Sequence, residues 1–495
     1  MSISVKRVSE IRLMKCIQKM VMLAATLVAC SLVAQKSDIL FIFADDLSFE
    51  AIGASGNAVV QTPNIDRLAD EGTYFTNAYN MGSWTPAVCL ASRTMINTGR
   101  SVWHAQDLHK SFGQSHESRP ILWSERMANA GYETYLTGKW HVSVAPEDVF
   151  DYVRHVRPGM PLDSFPDQRP EGYHRPIEGK PDPWSPYDRS KGGFWSGGTH
   201  WSEVVASDAE DFMLQASGRT GPFFMYLAFN AAHDPRQSPK EFVDRYSAES
   251  IPIPENYQPI YPYREEMGSG EGLRDEILAP FPRTEYAVRV HRSEYYAVIS
   301  HLDAQIGRIL KALEASGRRD RTYIFFTADH GLACGHHGLL GKQNMYEHSM
   351  KAPLIVLGPG LPGGQRRKAP VYIQDIMATT LELAGAEKPE GLEFESLLPL
   401  IGDPALNGKH GNIYGAYTDK QRMIRVGSLK LILYPEASRL RLFDLASDPD
   451  EIKDLAGDPR YWSSIRSLFA ELLQKQEQLS DTLDLRKAFP ELCHF

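Results

Sequence analysis

The stretch SDILFIFADD, residues 37–46, decides the architecture. Its apolar run, 39–44, is too short for a stable helix and does not alternate. It therefore reads as a strand buried on both faces, the kind found inside a parallel sheet. The run ends abruptly in Asp45 and Asp46. The same grammar recurs in GYETYLTGKWH (131–141), PFFMYLAFNAAHDP (222–235), RTYIFFTADHG (321–331) and KAPLIVLGPG (351–360). Helical stretches separate these runs. TPNIDRLADEG (62–72) carries Pro63 in its first turn and a glycine stop, WSERMANAG (123–131) ends the same way, and another helix runs from about 293 to 316. Strands alternating with helices predict a large doubly wound mixed α/β sheet flanked by helices. In such sheets the ligand site lies outside the carboxyl ends of the strands, where the polar tips converge.

Two regions break the rhythm. Residues 144–220 and 250–285 are rich in Pro, Gly and aromatics with little periodicity, and read as long loops around a pocket. Trp184, Trp195, His200 and Trp201 offer surfaces for stacking on a sugar, or for ordinary loop packing. After about 390 the pattern changes. HGNIYGAYT, RMIRVGSLKLILYP and SRLRLFDLASDP read as strands of an antiparallel sheet, and 461–479 as an amphipathic helix upon it. The expected division is a catalytic domain over 36–389 and a C-terminal α+β subdomain over 390–495.

The N-terminus reads as an export signal, residues 1–34. Lys15 and Lys19 precede the apolar run VMLAATLVACSLVA, which is too short for a membrane span. LVAC (27–30) resembles a lipoprotein box with Cys30 as the lipidated residue; simple cleavage near Ala34 is the other reading. The expected location is outside the cytoplasm, periplasmic or secreted, with a lipid-anchored form as the alternative. The formal net charge of −9 argues against a nucleic-acid partner. Of five cysteines, Cys16 and Cys30 fall in the signal, so Cys89, Cys334 and Cys493 do not form a disulfide framework.

The polar tips carry the chemistry. Asp45–Asp46 and Asp329–His330, at two strand ends, would meet around one cation, since buried adjacent carboxylates repel without one. Oxygen-rich ligation favours Ca²⁺ or Mg²⁺. Lys139 and His141 stand two apart in an extended segment, which puts them on one side. With His233, Arg93 and Lys342 they form a cationic cluster suited to a tetrahedral anion such as sulfate or phosphate. GLACGHHGLLGKQ (331–343) invites a zinc reading through Cys334, His336 and His337. It lacks a second spaced pair, and reads better as a glycine-rich loop positioning Lys342. Cys89, in PAVCLASRT, is harder to place. Cys-x-x-x-Arg lacks the long anion cradle of a cysteine phosphatase, and a thiolate is a poor partner for a hard cation. The spacing makes sense if the thiol is converted to an oxygen function.

Taken in order, FADD, TPNIDRLADEG, CLASR with TGR, GYETYLTGKWH, AAHDP, TADHG, GKQNMYE and LFDLASDPDE resemble the type I, formylglycine-dependent sulfatases of the alkaline-phosphatase superfamily, and among them bacterial carbohydrate sulfatases. The resemblance runs from about 38 to 455. It implies that a formylglycine-generating maturase oxidises Cys89 to formylglycine. It also implies that Asp45, Asp46, Asp329, His330 and the modified Cys89 bind one Ca²⁺. The hydrated aldehyde would attack sulfur, with Arg93 and Lys139 holding it. Lys342 and His233 would bind the sulfate and assist the leaving oxygen, and His141 would take the proton that lets sulfate depart. The family usually has proline where Ala91 stands and a smaller residue where Leu90 stands. The implied substrate is a sulfated saccharide. Two alternatives stay open: a phosphonate or phosphodiester hydrolase of the same superfamily, and a non-catalytic relative that binds sulfated glycans.

Overall fold

A computed structural model describes residues 36–113, 119–408 and 410–493. The expected export signal over 1–34, with Cys30, lies outside the described residues. Among those described, no helix is long and apolar enough to cross a membrane.

The strands, in chain order, are β1 (Asp38–Ala44), β2 (Thr73–Phe75), β3 (Ala78–Tyr79), β4 (Gly82–Ser83), β5 (Glu133–Lys139), β6 (Tyr152–Arg157), β7 (Phe223–Ala228), β8 (Thr322–Ala328), β9 (Leu354–Leu357), β10 (Gln365–Arg367), β11 (Val371–Tyr372), β12 (Ile413–Tyr417), β13 (Gln421–Val426), β14 (Leu429–Tyr434) and β15 (Arg439–Asp444). Eight of them form one sheet in the order β10-β2-β9-β8-β1-β7-β5-β6. β1 lies parallel between β7 and β8, and β5 lies parallel between β7 and β6. β9 runs antiparallel to both β8 and β2, so the sheet is mixed, as expected.

The centre of this sheet is where the apolar run of β1 has to be. Every β1 residue is buried. Phe41 meets Tyr226 edge-on, and Trp123 packs against Phe41 and Phe224 with ring centroids 5.1 and 4.9 Å away. Burying each such ring contributes about 1.5–3 kcal/mol. The helices form two packed groups. Pro63–Glu71, Trp201–Ser217 and Glu285–Ala315 make one; Val88–Thr98, Trp123–Asn129 and Asp375–Ala384 make the other.

A second sheet has the order β15-β14-β13-β12-β4. Its four C-terminal strands are antiparallel, as the pattern predicts. Its fifth strand, Gly82–Ser83, comes from far upstream and pairs parallel with β12. Only a glycine allows that approach, because a Cβ on Gly82 would sit 1.8 Å from the Ala416 carbonyl oxygen. The helix Trp462–Gln478 covers this sheet with Ile465, Leu468, Phe469 and Leu472, the i, i+3, i+4, i+7 stripe of an amphipathic helix.

Candidate active site

Cys89 occupies the first turn of the helix Val88–Thr98, and Arg93 follows one turn later on the same face. Both are buried. Arg93 Nε donates to Asp329 Oδ2 at 3.0 Å and Nη1 to the Lys139 carbonyl at 2.6 Å. One guanidinium thereby ties the helix to the ends of β8 and β5. Ser92 Oγ and Asn80 Nδ2 both donate to the Asp329 carbonyl, at 2.8 and 2.5 Å.

The strand tips converge as the topology requires. Asp45 and Asp46 follow β1, Asp329 and His330 follow β8, Lys139 ends β5, and His233 lies just beyond β7. Lys139 Nζ is hydrogen-bonded to Asp45 Oδ2. Lys342 Nζ donates to Asp46 at 2.9 Å and lies 2.9 Å from His233 Nε2. His330 Nε2 lies 3.4 Å from Asp46 Oδ1 and 3.5 Å from Asp329 Oδ1. His141 Nδ1 lies 3.2 Å from Cys89 Sγ. Every residue read from the sequence as catalytic or as a ligand of the hard cation is therefore in one cluster.

One expectation about its geometry is corrected. Lys139 and His141 do not share a side through strand alternation. His141 has φ 50°, in the left-handed region, and Gly138, φ 90°, marks a register shift in β5. The turn after the strand, and not its pleat, brings the imidazole back over Cys89.

The cluster's electrostatics follow from burial and close charges. Burial alone would raise the Cys89 thiol, but the charges of Lys139 and His141 and hydrogen bonds from His141 and His330 hold it well below its ordinary value. Burial and the neighbouring Asp329 push Asp45 well above the carboxylate range, against the pull of Lys139. Asp329 goes the other way: burial opposes its ionisation, but His330, Arg93 and Lys139 hold it low. Two carboxylates this close do not both stay ionised without a cation between them.

The residues fit a hard cation. One ligand atom from each of Asp45, Cys89, Asp329 and His330, and likewise from Asp45, Asp46 and His233, lie within 4.8 Å of one another. That spread suits a centre with oxygen ligands at about 2.3–2.6 Å. Asp45 Oδ1 is buried here with no donor to satisfy it, as an atom that faces a cation would be. The zinc reading is not supported. His336 is hydrogen-bonded to Glu50 and Asn256 at 2.7 and 2.8 Å, and His337 stacks on Tyr346.

Lys342 sits on a loop held from below. Glu276 accepts hydrogen bonds from Leu340 N and Gly341 N, at 3.1 and 2.8 Å, and pairs with buried Arg283 at 2.6 Å. Arg283 Nε in turn donates to the Gly338 carbonyl at 3.1 Å. Removing one partner of a buried pair costs about 3–5 kcal/mol. Glu276→Ala is expected to lower the midpoint of thermal unfolding in calorimetry by several degrees, and to raise KM as Lys342 loses its bracing. An unchanged midpoint would count against this account of the loop.

Above the cluster opens a pocket of about 340 Å³. Cys89, His141, His233 and Lys342 form its floor. Its walls come from residues that the sequence reading did not single out: Met160, Leu162, Phe165, Leu273, Arg274 and Asp275. All lie in the two aperiodic regions, which were read as pocket loops, but nothing in their local pattern marks these side chains. Of the two readings of the tryptophans, the structure supports ordinary loop packing. Trp184, Trp195, His200 and Trp201 are all buried and line no part of this pocket. Phe194 and Trp195 pack edge-on against His200, and His200 against His301, so these rings hold the long loop together.

Comparison with known proteins places this arrangement. A family model described as Sulfatase matches residues 37–386, and one described as N-sulphoglucosamine sulphohydrolase, C-terminal, matches 335–478. An arylsulfatase of Clostridium perfringens is 27% identical, covering 92% of this chain and 98% of its own. An N-acetylglucosamine-6-O-sulfatase of Bacteroides thetaiotaomicron is 24% identical over 90% of this chain and 87% of its own. Two solved structures share the fold. A protein in complex with its substrate D-glucosamine-2-N,6-O-disulfate has a TM-score of 0.68 at 22% identity, covering 90% and 99% of the two chains. A phosphonate monoester hydrolase from Silicibacter pomeroyi has a TM-score of 0.71 at 22% identity, covering 90% and 96%.

Proposed function

The chain belongs to the sulfatase family and is a sulfuric ester hydrolase, and on that premise we propose that it removes sulfate from a sulfated saccharide, using formylglycine made from Cys89 and one Ca²⁺. The observation that carries the proposal is the convergence of Cys89, His141, His233 and Lys342 at one pocket floor with Arg93, Lys139, Asp45, Asp46, Asp329 and His330 packed against them. Sulfatase relatives that act on amino sugars support the saccharide.

When present, the aldehyde made from Cys89 supplies an oxygen nucleophile as its hydrate, and the cation beside it supplies Lewis acidity. The chain's own residues do the rest. Arg93 and Lys139 place positive charge beneath position 89, where the nucleophilic oxygen needs it. His141 stands at hydrogen-bond distance from that position and takes the proton whose loss expels sulfate. Lys342 and His233, side by side, hold the sulfate oxygens and give a proton to the leaving alcohol. Asp45, Asp46, Asp329 and His330 would hold the Ca²⁺. A cytoplasmic-side maturase acting before export, and a periplasmic, secreted or Cys30-anchored destination, complete the proposal from the N-terminal sequence.

Mass spectrometry of the peptide containing residue 89, from a host with the maturase, tests the first step. Conversion is expected despite Ala91; a wholly unmodified thiol in the native host would favour a glycan-binding role. The fold likeness to a phosphonate monoester hydrolase makes the second comparison decisive. Converted protein is expected to cleave aryl sulfates faster than aryl phosphodiesters, and the reverse order would overturn the assignment.

A further inference from the structure

The pocket wall that adjoins His141 is apolar and uncovered. A Cβ on Gly159 would lie 2.6 Å from the His141 ring, so the segment 158–165 starts in contact with the floor of the site. Its backbone is braced. Asn230 Nδ2 donates to the Pro158 carbonyl at 2.9 Å, and Tyr173 Oη donates to the Ser164 carbonyl at 2.7 Å. Asp163 accepts from Gly193 N at 3.0 Å. Yet Leu162 is 72% exposed and Phe165 37% exposed, both lining the pocket. Large apolar side chains on a rigid frame beside a reaction site mark a binding surface.

The opposite wall carries charge, and that charge is already used. Among the described residues lining the pocket, the cations are Lys342, Arg274 and the two histidines. Arg274 is hydrogen-bonded to both Asp234 and Asp275, with Nη2 3.1 Å from Asp234 Oδ1. Asp275 also lies 3.4 Å from Lys342 Nζ and accepts from Gln343 Nε2 at 2.9 Å. Lys342 is shared with Asp46. Once one sulfate is bound on the floor, this wall presents the Asp275 carboxylate, and with Arg274 held by Asp234 and Asp275 and Lys342 by Asp46 it has no unpaired cation to meet a second anion. A further sulfate or a carboxylate here would lose its water against Asp275 without a partner. A ring with a C–H-rich face loses nothing and gains contact with Phe165 and Leu162.

We propose, resting on the sulfatase assignment, that the subsite beside the scissile sulfate takes a neutral, singly sulfated sugar ring whose apolar face lies on Phe165 and Leu162, a 6-deoxyhexose being the extreme case, and rejects rings bearing a second anionic group. Uniform binding of this kind shows in kcat/KM between matched substrates.

The test uses full-length protein with formylglycine at position 89 verified by mass. Sulfate release is measured from 4-nitrophenyl sulfate and from position isomers of three methyl glycoside monosulfates: a 6-deoxyhexoside, a hexoside and a hexuronide, with a disulfated hexoside as a fourth probe. The neutral monosulfates are expected to exceed the hexuronide and the disulfate by about tenfold or more in kcat/KM. Leu162→Asp and Phe165→Ser are expected to raise KM on the preferred ring by about tenfold. Leu162→Lys should shift preference toward the hexuronide. Turnover of 4-nitrophenyl sulfate together with equal or faster release from the charged sugars, or from no sugar at all, overturns the inference and leaves the sulfatase assignment standing. No sulfate release from any probe by the converted protein overturns that assignment, and the inference with it.

Discussion

Cys89→Ala is expected to remove turnover, by on the order of 10⁴-fold or more, while leaving the protein folded. Losing the group that attacks sulfur removes the covalent route itself, which is a larger loss than that of any single contact to the transition state. The folded state has little to lose. Cys89 sits in the first turn of a helix, where alanine is well tolerated, and the deletion removes one sulfur atom. The cost to stability is about 1 kcal/mol. Steady-state sulfate release and a thermal melt on the same preparation check both halves. Residual activity within tenfold of wild type would end the proposed mechanism, because the remaining residues would then suffice.

Removal of the cation is expected to have the second largest effect. Asp45, Asp46 and Asp329 are buried together, and an ion held by them would link the ends of β1 and β8. A ligand that binds only the folded state stabilises it by about 2.7 kcal/mol at one hundred times its dissociation constant. Exhaustive dialysis against EDTA should therefore lower the unfolding midpoint by several degrees and abolish sulfate release, with Ca²⁺ restoring both. Calcium-free protein, verified by elemental analysis, with an unchanged midpoint and rate would rule out the ion as part of the site.

Much of the site could be read from the chain because parallel sheets obey a strong rule. Once 39–44, 223–228 and 322–328 are buried strands, their polar ends must lie together, whatever the loops do. Asp45, Asp46, His233, Asp329 and His330 follow from that rule alone. Arg93 is legible from the Cys-x-x-x-Arg spacing, but only the structure shows the segment to be a helix that puts both on one face. Other features do not follow from local pattern. Gly82–Ser83 is too short to read as a strand, and its partner lies more than three hundred residues away. His141 was read as extended, but its placement depends on a left-handed turn. Whether the tryptophans stack on a sugar or pack the loop stayed open, because composition does not distinguish an aromatic that packs inward from one that faces solvent.

The sequence by itself determined the mixed α/β class, the strand order's functional edge and the identity of the residues that meet there, since hydrophobic runs and their polar ends are local properties of the chain. The tertiary structure alone decided which side chains wall the pocket. Leu162 and Phe165 are uncovered, and Arg274 is neutralised, because of partners distant in the chain: Tyr173 and Gly193 brace one wall, and Asp234 with Asp275 occupies the guanidinium of the other. Whether an exposed apolar group or a charge is free to meet a substrate depends on what the fold places against it, and spacing along the chain does not carry that information.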